Sequence, residues 1–212
     1  MGDERVTETF LTAARISAGL ASRPEVAVRW SEESACAGMT VGGLAHHLVS
    51  QLTNTARLLA AEPHEEPPIA LLEHYERAAW VTADLDDDVN VRIREGADDD
   101  AAGGPEALSP LVDGALADLP DLLARAADAV WIPWQGWSLS TEDYLTTRMM
   151  ELVVHSDDLA ASVGVPTPEF PEDVLIPVFT LLTGVAARRH GQVAVVRALS
   201  RPQRAPDIVS AF

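Results

Sequence analysis

The chain has 212 residues, is 47% hydrophobic and carries a formal net charge of −18 from 33 acidic and 15 basic residues. Every basic residue is an arginine, which excludes a Schiff-base lysine and a phosphate-loop lysine, and the acidic surplus disfavours a nucleic-acid backbone as partner. The charge reads as a solubility device rather than the imprint of a basic partner.

No run approaches the ~18 consecutive apolar residues of a membrane span. The start, Met1-Gly2-Asp3-Glu4, is acidic and leads into an amphipathic pattern, unlike a signal peptide. The expectation is a cytoplasmic protein with no membrane contact. Cys36 stands alone, so an intramolecular disulfide and a cysteine-rich zinc site are excluded.

In chain order, residues 5–22 carry Val6, Phe10, Leu11, Ala14 and Leu20 at helical spacing, and the pattern breaks at Arg23-Pro24. Cys36 lies in a loop just before a helix start, where a thiol can be activated as a nucleophile, although no base stands near it in sequence. Thr40 is placed to cap a second helix running to about Ala61, with the stripe Val41, Leu44, Leu48, Leu52, Thr55 and Leu59. Pro63, Pro67 and Pro68 end it, and a short helical pattern follows at Ala70–Thr82. The acidic, glycine-containing stretch Asp84–Pro105 reads as a solvated crossover loop or short hairpin, without the ligand pattern of a calcium loop.

A third long helix is predicted over Glu106–Val130, kinked at Pro120. An extended aromatic segment with Trp131, Trp134 and Trp137 follows. Ser140 or Thr141 then caps a fourth helix that ends near Gly164. A fifth helix spans about Pro171–His190, and the tail from Gln192 reads as a short strand or ordered strap. The fold class expected is all-α: a four-helix bundle with a long crossover, an additional C-terminal helix and short extended segments. Residues 1–165 form the bundle, with 166–212 packed on it in the same domain.

The fourth helix carries a polar line, Tyr144, Arg148, Glu151, His155 and Asp158, at spacings of 4, 3, 4 and 3 residues. Apolar residues border it on both sides: Leu145, Leu152 and Leu159 on one, Met150 and Val154 on the other. A line flanked this way points inward, where carboxylate and imidazole groups are costly unless paired or bound to a metal. Glu151 and His155 can reach one ion, and a third ligand must come from another helix. Three protein ligands leave zinc an open position for chemistry.

Of the six histidines, His47 is the better inward candidate, on the flank of the second helix and followed one turn later by Gln51. His46 points away from the apolar stripe, His64 and His190 read as surface residues, and His74 could face either way. A plainer reading stays open at this point. Glu151 and His155 can be an exposed pair, and Arg148 with Glu151 an intrahelical salt bridge.

The segments Thr40-Val41-x-x-Leu44-x-x-His47-Leu48 and Arg148-x-x-Glu151-x-x-Val154-His155-x-x-Asp158-Leu159-Ala160 lie about a hundred residues apart. Together they resemble the DinB-like superfamily, and within it the mycothiol-dependent maleylpyruvate isomerase group. The resemblance implies a DinB-like bundle with zinc, or another divalent ion, held by His47, Glu151 and His155. It also implies mycothiol, or a similar low-molecular-weight thiol, as cosubstrate. The activity implied is S-transfer to, or thiol-assisted isomerisation of, an electrophilic small molecule. A non-enzymatic metal-binding or ligand-sensing bundle is the alternative, as is a relative that has lost the metal. Monomer and homodimer both remain open.

Asp158 would orient a ligand or bound water and Arg148 would hold a substrate carboxylate or pair with Glu151, which makes these two the catalytic candidates. Tyr144, Trp137 and Gln51 are candidates for lining the substrate and cofactor pocket. The chain departs from the group's pattern at Met39, where an aromatic residue is usual, and at Gly42-Gly43, where a charged pair is usual. The glycine pair weakens the first helical turn by about 1–2 kcal/mol relative to alanine and could admit a substrate to the backbone. The segment after the bundle is also shorter than in the isomerase, which points away from maleylpyruvate as the particular substrate.

Overall fold

Helix α1 (Gly2–Ala21) buries Phe10, Ala13, Ala14 and Ser17 and is followed by a single short helix, α2 (Pro24–Val28), begun by Pro24. The computed structural model describes residues 2–83 and 86–212; Met1, and the Asp84 and Leu85 that open the expected acidic loop, lie outside the described residues. Helix α3 (Val41–Leu59) starts at Thr40, whose hydroxyl accepts from Gly43 N at 2.9 Å and satisfies one of the free N–H groups of the first turn. Two short helices, α4 (Leu71–Arg77) and α5 (Ala79–Thr82), are followed by α6 (Asp88–Asp100) and α7 (Leu108–Ala124). A hairpin of β1 (Ala129–Ile132) and β2 (Trp137–Ser140) pairs Ala129 with Ser140 and Ile132 with Trp137, turning through Gly136 at φ +80°.

The hairpin delivers Ser140 as the cap of α8 (Thr141–Val163), where its hydroxyl accepts from Asp143 N at 3.1 Å. Glu142 and Asp143 complement the positive end of the helix. Gly164, at φ +71°, ends α8 in a left-handed cap. Helices α9 (Glu172–His190) and α10 (Gln192–Ser200) complete the chain's regular structure.

Helices α1, α3, α7 and α8 pack on one another as the bundle, and α9 lies along α8. Their core includes Phe10, Leu44, Leu48, Leu52, Leu119, Leu145, Leu152, Leu159 and Val178, each at most 1% exposed. Burial of one leucine contributes on the order of 2 kcal/mol. The leucines of α8 therefore hold in place a helix that also carries charged groups. Ser156 on α8 donates to Ser17 on α1 at 3.0 Å, and Ser17 in turn to Leu152 O at 3.4 Å, so the polar groups within this seam satisfy one another. Among the described residues no helix is long and apolar enough to cross a membrane.

Three expectations are corrected. The stretch expected as an acidic loop or hairpin contains α6 and two 3-10 turns, Ala101–Gly103 and Pro105–Ala107. Helix α6 is held by tertiary contact with α3: Asp98 Oδ1 accepts from Thr40 N at 3.0 Å and from Thr40 Oγ1 at 2.6 Å. The third helix, expected over Glu106–Val130, spans Leu108–Ala124 with Pro120 inside it, because Ala129 and Val130 are taken by the hairpin. The tail after Gln192 is α10, which packs against α9 and buries Val195, instead of a strand or strap.

The glycine pair also has a different purpose from that expected. A Cβ on Gly42 would lie 2.5 Å from the Trp30 ring, and one on Gly43 would lie 2.0 Å from Asp98 Oδ1. The groups that come close to this backbone are therefore the protein's own Trp30 and Asp98. Trp30 in turn donates Nε1–H to Ala101 O at 3.1 Å, so the pair lets the α6 region close over the start of α3.

Candidate metal centre

His47 projects from α3 and Glu151 and His155 from α8, and the three meet between the helices. Glu151 Oε2 lies 3.1 Å from His155 Nε2 and 3.7 Å from His47 Nε2. The two imidazole rings stand edge to face with centroids 4.9 Å apart. Glu151 is 14% exposed, His155 18% and His47 22%, so each is mostly withdrawn from water but reachable from one side. One ligand atom from each residue falls within 4.8 Å of the others.

Electrostatics follow from this crowding. Burial opposes ionisation of Glu151, but hydrogen bonds to His155 and His47, with the charges of His155 and Arg148, hold its carboxyl well below the usual range. Burial likewise opposes charge on His155, but Asp158 and Glu151 on either side of its ring outweigh that and raise it to about 9. Two imidazoles and one carboxylate facing a common point form the donor set of a catalytic zinc site. Without a cation the two carboxylates around His155 draw a proton onto its ring, and the residues present therefore fit a divalent ion.

Asp158 Oδ2 contacts His155 Nδ1 at 3.0 Å, which fixes the ring and presents Nε2 toward Glu151. On the α3 side, Gln51 donates Nε2–H to His47 O at 2.9 Å and lies 3.5 Å from His47 Nε2. Arg148 donates Nη1–H to Gln51 Oε1 at 2.6 Å and Nε–H to Thr147 Oγ1 at 3.0 Å. Arg148 thus reaches across to Gln51 on α3 with one hydrogen bond and holds its own neighbour Thr147 on α8 with the other.

Tyr144 is fully buried; its hydroxyl meets Thr55 Oγ1 at 3.2 Å, and the Arg148 guanidinium sits 5.5 Å from its ring centre. It forms the floor beneath Arg148 rather than an open pocket wall. Thr55 donates to Gln51 O at 2.6 Å, so His47, Gln51 and Thr55 make a polar line on α3 that matches the line on α8. Thr55 continues the spacing of the apolar stripe of α3, and its i+4 spacing from Gln51 is the sequence signal of its polar role.

Trp137 is joined to a different histidine. Its Nε1–H donates to His74 Nδ1 at 3.0 Å, and Arg77 lies over its ring at 5.9 Å. His74 is 3% exposed; burial, reinforced by the charge of Arg148 and opposed by Glu151, lowers its pKa to about 4. His46 faces α6, 4.0 Å from Asp100, His64 stacks on Trp131, and His190 contacts Ser210 O at 2.8 Å. None of these three is in the central cluster. Cys36, which the sequence left without a partner, lies beside His155 and Asp158.

A helical bundle here gathers two imidazoles and a carboxylate from facing helices into a group that could hold a metal ion. Residues 10–160 match the family described as mycothiol maleylpyruvate isomerase N-terminal domain, and the chain belongs to that family. Among solved structures, it is similar to a histidine-to-alanine variant of the mycothiol-dependent maleylpyruvate isomerase. That likeness has 21% identity over 86% of this chain and 68% of the other, with a TM-score of 0.47. No curated protein matches the chain.

Proposed function

We infer that this protein is an enzyme that uses a divalent ion, zinc by the chemistry of its donors, to activate the thiol of mycothiol or a similar small thiol against an electrophilic small molecule. The observation that carries this reading is the convergence of His47, Glu151 and His155, on a chain of the mycothiol maleylpyruvate isomerase N-terminal domain family. A divalent ion there supplies the positive charge that keeps a thiol ionised at neutral pH. That role needs no cysteine nucleophile from the chain.

The chain's own residues set up the rest. Asp158 holds the His155 ring so that Nε2 faces the cluster. Gln51 steadies His47 through its backbone carbonyl and is itself held by Arg148. Arg148 is a permanent cation tied into this network from α8, and we assign it to a carboxylate or developing negative charge on the substrate. The outcome is either thiol transfer or, if the thiol is expelled again, cis–trans isomerisation.

The test is thiol consumption and product formation with mycothiol and a panel of electrophilic alkenes and carbonyl compounds, using zinc-loaded and chelator-treated protein. Turnover that requires both zinc and His47 is expected. Zinc binding without any thiol-dependent turnover or mycothiol-dependent thermal shift would leave a metal-binding module in place of an enzyme.

A further inference from the structure

Cys36 is brought to the metal centre by a loop built against α8. Ser162, one turn beyond Asp158, donates Oγ–H to Asp158 O at 2.6 Å and accepts from Ala35 N at 2.8 Å. Arg29 Nη1 donates to Ser162 O at 3.3 Å. Within the loop, Ser34 Oγ accepts from Cys36 N at 3.1 Å and donates to Cys36 O at 3.0 Å, and Met39 N closes the turn on Cys36 O at 3.1 Å. These bonds hold the thiol where its sulfur, a ring nitrogen of His155 and a carboxylate oxygen of Asp158 all lie within 4.8 Å of one another.

This is a second group of metal-ligating atoms, and it shares one imidazole with the first. We propose that Cys36, His155 and Asp158 form a second metal position, selective for a soft, thiophilic cation such as cadmium, and that sharing of His155 lets only one of the two positions be filled at a time. The thiolate position stands on its own geometry; the exclusivity rests on the metal reading of His47, Glu151 and His155.

The selectivity follows from the donors. Thiolate favours soft cations, whereas the histidine–carboxylate group suits zinc and cobalt. The free thiol carries a proton, which a strongly thiophilic ion displaces because the thiolate is the ligand. As the sulfur–metal bond forms, that proton leaves to solvent.

The exclusivity follows from the imidazole. A neutral ring has one N–H and one lone pair. With its Nε2 lone pair used on the Glu151 side, Nδ1–H donates to Asp158 across 3.0 Å. With Nδ1 used on the Cys36 side, the proton sits on Nε2 and donates to Glu151 across 3.1 Å. Either state satisfies both nitrogens, and filling both positions demands an imidazolate. A soft cation is therefore an inhibitor that works by placing the His155 proton on Nε2, which removes the lone pair offered on the Glu151 side.

The experiment is a titration of chelator-treated protein with cadmium and with cobalt, followed by ultraviolet thiolate-to-cadmium absorption and by visible cobalt absorption. Wild type, Cys36→Ser and His47→Ala are compared, each checked for folding by circular dichroism. The thiolate–cadmium band should appear in wild type and His47→Ala and be lost in Cys36→Ser. The visible cobalt band should survive in Cys36→Ser and be lost in His47→Ala, and cadmium should suppress it in wild type. No cadmium band in wild type, or a band that persists in Cys36→Ser, overturns the second position. Cobalt and cadmium signals that simply add overturn the exclusivity. A cadmium band in a protein that takes up neither cobalt nor zinc would support the thiolate position while removing the metal basis of the proposed function.

Discussion

His155 and His74 are both withdrawn from water, yet their surroundings drive them in opposite directions. His155 lies between two carboxylates, Asp158 on Nδ1 and Glu151 on Nε2, and its pKa is raised to about 9. His74 is more deeply buried, receives an N–H from Trp137 on Nδ1 and feels the Arg148 guanidinium, and its pKa falls to about 4. Burial is the leading opponent of charge in both cases. What separates them is whether the neighbouring groups present lone pairs or protons. A site that attracts a proton in this way also attracts a cation, whereas the α4–β2 corner repels one.

The largest expected effect tests that division directly. After chelator treatment and dialysis against zinc, wild type and His74→Gln should retain the metal, and His47→Ala should retain none. At zinc concentrations near 100 times the dissociation constant, binding should add about 2.7 kcal/mol of stability, visible as a rise in Tm. A zinc-dependent rise that survives intact in His47→Ala would mean that the two α8 residues hold the ion with some other partner.

The next effect belongs to His74 and runs with pH. Its native pKa of about 4 lies below the unfolded value of 6.5, so between these limits the unfolded chain binds more protons than the native one. The stability that depends on neutral His74 is fully present above pH 6.5 and is lost as pH falls toward 4. At about 1.4 kcal/mol per unit the loss amounts to a few kcal/mol. Chemical denaturation of wild type and His74→Gln over pH 4–7 should show a steeper acid loss in wild type. Parallel curves would place His74 in a wetter corner than the one described.

A smaller effect concerns the support of His47. Gln51→Ala removes the amide that bridges His47 and Arg148, and with it the hydrogen bond across the two helices. Zinc affinity should fall by about tenfold, the lower end of what outer partners of a metal ligand contribute. His46→Ala, on the α6 side, should leave the affinity unchanged. An equal loss in both would point to general loosening of α3.

Much of this contrast was legible in the sequence, and the reason is periodicity. A 23-residue helix with a clear cap and a polar line bordered by leucines projects its own geometry, so Glu151, His155 and Asp158 fall together as spacing requires. His47 needed a second helix, and the apolar stripe beside it supplied the orientation. What could not be read locally were positions fixed by contact. Helix α6 has an acidic, weakly apolar sequence and is held through Asp98 on the Thr40 cap, a partner 58 residues away. Trp137 and His74 are 63 residues apart and meet only because the hairpin turns toward α4. Cys36 had no base near it in sequence and found His155 and Asp158 from the far end of the chain.

The smallest expected effect isolates the Trp137 hydrogen bond from burial as the cause of His74's neutrality. Trp137→Phe keeps an aromatic ring but removes the N–H, leaving His74 Nδ1 without its donor. Loss of one such bond costs on the order of 1 kcal/mol. It also removes the group that would clash with a proton on Nδ1. The His74 pKa should therefore rise from about 4 toward, but not to, its ordinary value, because burial and Arg148 remain. Nuclear magnetic resonance titration of the His74 ring in Trp137→Phe and wild type would measure the rise, with zinc affinity as an internal control that should not move. An unchanged His74 pKa would assign its neutrality to burial and the Arg148 charge alone. A change in zinc affinity would show that the two histidine environments, opposite in sign, are coupled through Glu151, whose charge acts on both.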